Sequence, residues 1–258
     1  MNKPAFRNDG LAKVTGRALY TDDLKLPGML HAVPVYSDLP RAKLLSLDAS
    51  EALKQEGVVA VFTAQDIPGN VRFGQIIKDY PTLAGEDINS TGDVLALIVA
   101  ETRDQAIAAI PLVRIELEPR EAILDPEAAL KEDAEILHPF HGSNLANYHC
   151  VRRGDLQAGE QEADVVIEQE FNSSRVEHAY LEPESALCQL RPDGVMEVFG
   201  SMQHPFSTRR FVASTLGLEL KDVEVKTVPM GGGFGGKDDT AALVCARAAL
   251  CAWLLKRP

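Results

Sequence analysis

Cysteine is scarce in this chain, with four in 258 residues: Cys150, Cys188, Cys245 and Cys251, and no C-x-x-C pair among them. That spacing argues against an iron–sulfur or zinc site built within the chain. It favours reduced thiols buried as small apolar side chains in a cytoplasmic protein. Basic charge is also short. Lys and Arg total 26 against 38 Asp and Glu, a net charge of −12, and no basic run stands out. A nucleic-acid partner needs such a patch for phosphate contacts, so none is expected. Long apolar runs are missing as well. The most apolar stretch, Ala241–Leu255, is short for a bilayer span and carries Arg247, which predicts a buried helix and no membrane segment. Met1–Asp9 has no apolar core of the signal-peptide kind. His138, His141 and His149 are irregularly spaced and lack carboxylates at ligand spacing, which favours solvated or packing roles over a metal site. No internal repeat or low-complexity tract is evident.

What is present reads as an α+β protein. Leu30–Val35 alternates, Val58–Phe62 is β-branched, Val94–Ala100 is uniformly apolar and Leu112–Leu117 alternates again, so each predicts a strand. Ser50–Glu56 predicts a helix capped by Ser50 and closed by Gly57. A second helix is expected from Thr102 or Asp104 to about Ile110, where Pro111 interrupts the pattern. These elements make residues 9–122 one α+β domain. Residues 123–150, punctuated by Asp125-Pro126 and His138-Pro139, read as a surface connector. Residues 151–258 form a second unit. Its predicted strands are Val165–Phe171, the end of Glu177–Leu187, Met196–Gly200 and Val223–Val228, with a helix over Phe206–Leu216 ended by Gly217.

The chain is organised around Gly231-Gly232-Gly233-Phe234-Gly235-Gly236-Lys237-Asp238, five glycines in six positions before Lys237. A strand precedes this loop, and Asp238-Asp239-Thr240 leads into the final helix. Strand, glycine loop and helix start together bare backbone N–H groups for an anionic or strongly polar group. Gly231 to Lys237 fits G-x-x-x-x-G-K, yet Asp238 stands where a nucleotide-binding P-loop needs Ser or Thr for magnesium. The letters also fit G-x-G-x-x-G, but a dinucleotide fold needs a further strand ending in an acid about 20 residues on. A tightly packed glycine turn without a ligand is the structural alternative.

The run Met230–Lys237 resembles the glycine-rich loop of the molybdenum hydroxylases, the xanthine dehydrogenase and aldehyde oxidase family. Lys13-Val14-Thr15-Gly16-Arg17-Ala18-Leu19-Tyr20-Thr21-Asp22-Asp23 is similar to the opening motif of that family's α/β-hammerhead domain. Ser37–Ala42 stands for a segment usually richer in histidine. Pro81–Ala84 and Gly92–Ala96 fit the same domain. His178–Glu184 is similar to the start of the family's molybdenum-binding domain, and Ser201-Met202-Gln203 follows at the family's interval. The resemblance covers nearly the whole chain from Asp9.

It implies an α/β-hammerhead domain followed by the first portion of a molybdopterin-binding α+β domain. It implies a molybdenum–molybdopterin cofactor near Gln203, Gly233, Phe234 and Gly235. Gln203 would hydrogen-bond an oxygen ligand of molybdenum, and the Phe234 backbone would lie beside the metal; neither would be a direct ligand. Asp238 falls where xanthine-oxidising members place a substrate-contacting glutamate, though it equally suits a helix N-terminus. The implied reaction hydroxylates an N-heterocycle or an aldehyde with water-derived oxygen. Electrons would leave through iron–sulfur clusters and FAD on partner subunits or domains. The family's catalytic base lies beyond Pro258, so no catalytic residue is expected here, and the chain is expected to be a truncated piece or split subunit, inactive alone. Its final helix would then expose a sizeable apolar patch. A non-catalytic assembly or scaffold fragment, and a nucleotide-binding module, are the other classes.

Overall fold

Residues 7–74 and 77–258 are described in this computed structural model; Met1 to Phe6 of the N-terminal run lie outside them. The first half contains α1 (Gly10–Val14), β1 (His31–Tyr36), β2 (Ala42–Asp48), β3 (Val58–Phe62), β4 (Arg72–Phe73), β5 (Tyr80–Pro81) and β6 (Asp87–Ile88). It closes with β7 (Val94–Ala100), α2 (Arg103–Ala109) and β8 (Arg114–Pro119). The short helices α3 (Pro126–Ala129) and α4 (Leu156–Glu162) follow. Then come β9 (Ala186–Leu190), β10 (Met196–Gly200), α5 (Pro205–Leu216), β11 (Val223–Thr227) and α6 (Thr240–Leu255).

Strand β7 is central in the antiparallel sheet β1-β7-β3, and every one of its residues is buried. Both faces are covered, which is why its sequence is apolar without alternation. Ala96 and Ile98 pack under Ala106 and Ala109 of α2. Val94, Leu97 and Val99 on the opposite face join a core that includes α6. Helix α2 is started by a capping box, with Thr102 Oγ1 accepting the Gln105 N–H at 3.3 Å and Gln105 Oε1 accepting the Thr102 N–H at 3.1 Å. A second sheet, β6-β2-β8, packs its own small core of Ala42, Ala84, Ile88 and Leu95.

The second half builds the sheet β11-β10-β9. β9 and β10 are an antiparallel hairpin, whereas β10 and β11 run parallel and are joined by α5. A helix that is apolar all round belongs in a core, and α6 is placed there. Its small residues Ala241, Cys245, Ala246, Ala249 and Ala252 let both layers approach closely. The core they join holds Cys188, Met196 and Val198 on one side and Leu97 and Val99 of β7 on the other. The exposed apolar patch expected of this helix is therefore not found: Ala242, Ala249 and Leu250 are 0% exposed.

Other expectations are corrected too. Ser50–Glu56 is only a 3-10 turn at Ala52–Lys54, and Ser50 caps nothing; its N–H donates to Asp48 Oδ1 at 2.9 Å. Gln55 is already extended, so the segment makes a single turn. The strand predicted at Leu112–Leu117 is displaced to Arg114–Pro119, because Pro111 closes a 3-10 turn over Ile110–Leu112. Val165–Phe171 forms no strand: no ladder partner reaches it, and Val165, Ile167 and Phe171 stand in solvent. A β-branched run alone does not supply the neighbour that a strand needs. Cys188, Cys245 and Cys251 are buried free thiols, and burial pushes Cys245 and Cys251 up to about 12. No helix among the described residues is long and apolar enough to cross a membrane.

Candidate functional site

The parallel strands β10 and β11 end side by side, so the segments that follow them meet. Their last pair is Gly200 with Thr227, and the Val228 N–H then donates to the Gly200 carbonyl at 3.1 Å. After β10 comes Ser201-Met202-Gln203-His204, and after β11 comes the glycine loop. The carboxyl ends of adjacent parallel strands are where α/β sheets bind ligands. This topology brings Gln203 to residues 231–238.

Two contacts hold Gln203 there. Its N–H donates to the Lys237 carbonyl at 2.9 Å, and its side-chain oxygen accepts the Gly235 N–H at 3.1 Å. With the oxygen occupied by an N–H donor, the amide orientation is decided and the NH2 group remains as a free donor. Gln203 is exposed, so that donor is accessible.

Phe234 sits at φ +49° with its side chain 80% exposed. A non-glycine residue in the left-handed region costs about 1–2 kcal/mol and marks a place where the surroundings dictate the backbone. Gly233 and Gly236 are required by close approach. A Cβ at Gly233 would lie 2.8 Å from Gln203 Oε1, and one at Gly236 would lie 2.5 Å from Tyr180 Cε1. Asp238 is on the rim of the loop, its Oδ1 3.2 Å from Nε2 of His204. Thus Gln203, Gly233, Phe234, Gly235 and Asp238 form one constellation.

Beneath the loop lies a part that sequence reasoning missed. Lys237 is fully buried, and its ammonium lies 2.6 Å from Glu182 Oε2, 3.2 Å from Ser201 Oγ and 4.8 Å from the centre of the Tyr180 ring. A P-loop lysine must reach a phosphate. This one is spent on Glu182. Burial pushes the Glu182 carboxyl up, but hydrogen bonds from Lys237, Gly231 and Ser201 outweigh it and hold the group below its ordinary value. Burial, reinforced by the hydrogen bond to Glu184, pushes Tyr180 up to about 12. The G-K spacing was the available signal for Lys237, but its partner stands 55 residues away. His204 was also missed, although it adjoins Gln203.

The histidine trio is engaged elsewhere. His138 Nδ1 lies 2.6 Å from Asp79, His141 Nε2 2.9 Å from the Leu145 carbonyl, and His149 Nε2 2.9 Å from the Asn147 amide.

Comparison with known proteins shows the family. Residues 15–121 match the family model of the aldehyde oxidase and xanthine dehydrogenase a/b hammerhead domain. Residues 137–258 match that of the molybdopterin cofactor-binding domain. The chain belongs to the xanthine dehydrogenase and aldehyde oxidase family of molybdenum hydroxylases. It is 36% identical over 240 residues to a probable xanthine dehydrogenase subunit of Bacillus subtilis, covering 93% of this chain and 32% of the relative. It is 34% identical over 258 residues to the nicotinate dehydrogenase large molybdopterin subunit of Eubacterium barkeri, covering 100% of this chain and 60% of that one. The solved structure of the aldehyde oxidoreductase from Desulfovibrio gigas aligns with a TM-score of 0.89 at 30% identity, over 97% of this chain and 29% of that one. The chain thus spans less than two thirds of these molybdenum hydroxylases.

Proposed function

We propose that this chain supplies one wall of the molybdenum pocket in an enzyme that oxidises an N-heterocycle, such as a purine, or an aldehyde, with oxygen derived from water. The observation that carries this reading is the Gln203–Gly235 bond, which leaves a neutral NH2 donor free at the carboxyl ends of β10 and β11. The residues suit a molybdopterin. Among the described residues no group of three or more His, Cys, Asp or Glu could hold a metal ion, so a metal at this wall would arrive with its own organic ligand. The one loop cation is buried, which disfavours a bare phosphate site and leaves amide N–H groups as the donors for an oxygen ligand.

When bound, the molybdenum cofactor supplies an activated water-derived oxygen and accepts two electrons. Gln203 would donate to an oxygen ligand without altering the charge of the centre. Gly233 and Gly235, with the backbone of Phe234 held between them, would keep side-chain bulk away from the cofactor. Asp238 would accept a hydrogen bond from an N–H of a heterocyclic substrate, with the His204 ring beside its carboxylate. The catalytic base and the other pocket walls would come from residues outside this chain. Iron–sulfur and FAD subunits or domains would carry the electrons away, in a cytoplasmic assembly. The isolated chain would be inactive.

Elemental analysis of an assembly purified through this chain tests the reading, with molybdenum expected in proportion to the chain. Its absence would overturn the proposal and leave a scaffold role.

A further inference from the structure

We propose that Glu182 is a positioning residue for this wall: through an ion pair with the buried Lys237 it closes the glycine loop on itself and sets where Gln203 stands. This rests on the pocket reading given above. A single atom, Glu182 Oε2, accepts from three donors: the Gly231 N–H at 2.7 Å, Ser201 Oγ at 2.8 Å and Lys237 Nζ at 2.6 Å. They belong to the first glycine of the loop, the residue that follows β10, and the lysine that ends the loop. One carboxylate oxygen therefore gathers both ends of the loop and the strand end that carries Gln203. The other oxygen, Oε1, is buried without a partner among the described residues, so the carboxylate's hydrogen bonds are committed to these three groups.

The link to Gln203 is direct. Lys237, held by Glu182 through its side chain, accepts the Gln203 N–H on its carbonyl at 2.9 Å. Gln203 then binds Gly235 inside the same loop. Lys237, Gln203 and Gly235 close a ring through Gly236, and Glu182 ties that ring down at Lys237, at Ser201 two residues before Gln203, and at Gly231. The segment that carries Glu182 is anchored through its neighbours. Tyr180 bonds Glu184, and Thr240 at the start of α6 donates to Glu184 at 2.9 Å. A buried ion pair is a costly way to gain stability, but its directionality makes it suited to fixing one arrangement among several.

The experiment uses the assembled enzyme with Glu182→Gln, Lys237→Met and the double variant. It reads amide hydrogen exchange across residues 230–238, thermal unfolding, molybdenum content and the electron paramagnetic resonance signal of the reduced molybdenum centre. Each single variant is expected to speed exchange of the loop amides by about tenfold or more while α5 and β10 stay protected. The double variant has no buried charge left unpaired, so its unfolding temperature is expected to recover. Its loop exchange and resonance signal are expected to remain altered. Unchanged loop exchange and resonance signal in folded Glu182→Gln would overturn the proposal. So would their full recovery along with stability in the double variant, which would make the pair a stabilising element only. If a single variant does not fold, the double variant decides. Absence of molybdenum from the unmodified enzyme would sink the pocket reading but leave the exchange comparison standing.

Discussion

Lys13 donates from Nζ to the carbonyl of Met230 at 3.0 Å, a contact across 217 residues. It joins the opening motif of the chain to the residue just ahead of the glycine loop. The two motifs that most resemble the family are thus parts of one device. Replacing Lys13 by Met keeps the apolar stem and removes the donor. A charge-assisted hydrogen bond at a half-buried position contributes about 1–2 kcal/mol, and urea unfolding is expected to show a loss of that order. A change within error would mean that the loop does not depend on the N-terminal motif.

Gln203 separates loop geometry from chemistry. Gln203→Glu keeps an acceptor for the Gly235 N–H but replaces the outward donor with a carboxylate oxygen. The unfolding temperature should therefore stay near that of the unmodified chain, while kcat/KM of the assembled enzyme falls by about 10–100-fold or more. Equal activity in this variant would remove Gln203 from the pocket.

Gly236→Ala would drive a methyl group into the Tyr180 ring and towards the Gly233 carbonyl. Overpacking of this kind costs about 1–3 kcal/mol. Gly159→Ala is the control, because nothing lies within 4 Å of that site in α4. It should be neutral or stabilising by up to about 1 kcal/mol. Chemical denaturation of the two variants side by side compares them.

Phe234 holds a left-handed backbone that glycine would adopt more readily. Phe234→Gly relieves about 1–2 kcal/mol of strain and costs about 0.5–1 kcal/mol of chain entropy. The chain is expected to become slightly more stable while turnover of the assembled enzyme drops. Lower stability and unchanged turnover would show that the aromatic ring is merely a packing group.

The Glu182 carboxyl is pushed up by burial and pulled further down by its three donors, so its folded value lies below the ordinary 4.5. A depressed carboxyl contributes stability that is present above its unfolded value and lost as pH falls through the folded one. Glu182→Gln should therefore be less stable at neutral pH, and the gap should narrow below 4.5. Urea midpoints across that range measure it; a gap that widens in acid would reverse the assignment.

Much of the constellation was legible locally. Gln203, Gly233, Phe234, Gly235 and Asp238 were each marked by motif, and the structure brings them together because β10 and β11 run parallel. Strand β7 was legible because a strand covered on both faces must be apolar throughout. Val165–Phe171 was misread because an apolar, β-branched run describes what a strand can bury and not whether a neighbour exists. Ser50–Glu56 was misread because Ser50 makes no cap, its N–H being taken by Asp48, whereas α2 of equal length is started by a complete capping box.

By itself the sequence determined the strands β7, β10 and β11, the helices α5 and α6, the glycine loop with its flanks, and the family resemblance. Tertiary structure alone decided what Lys237 does. In the sequence it ends a phosphate-binding pattern; in the fold its ammonium is buried against Glu182 and Tyr180. Tertiary structure also decided that α6 is covered, since the layers on either side of it come from β7 and from β9–β10, far apart along the chain. The physical reason is the same in both cases. Local pattern records what a residue requires, a counter-charge or an apolar neighbour, and only the path of the whole chain determines which residue provides it.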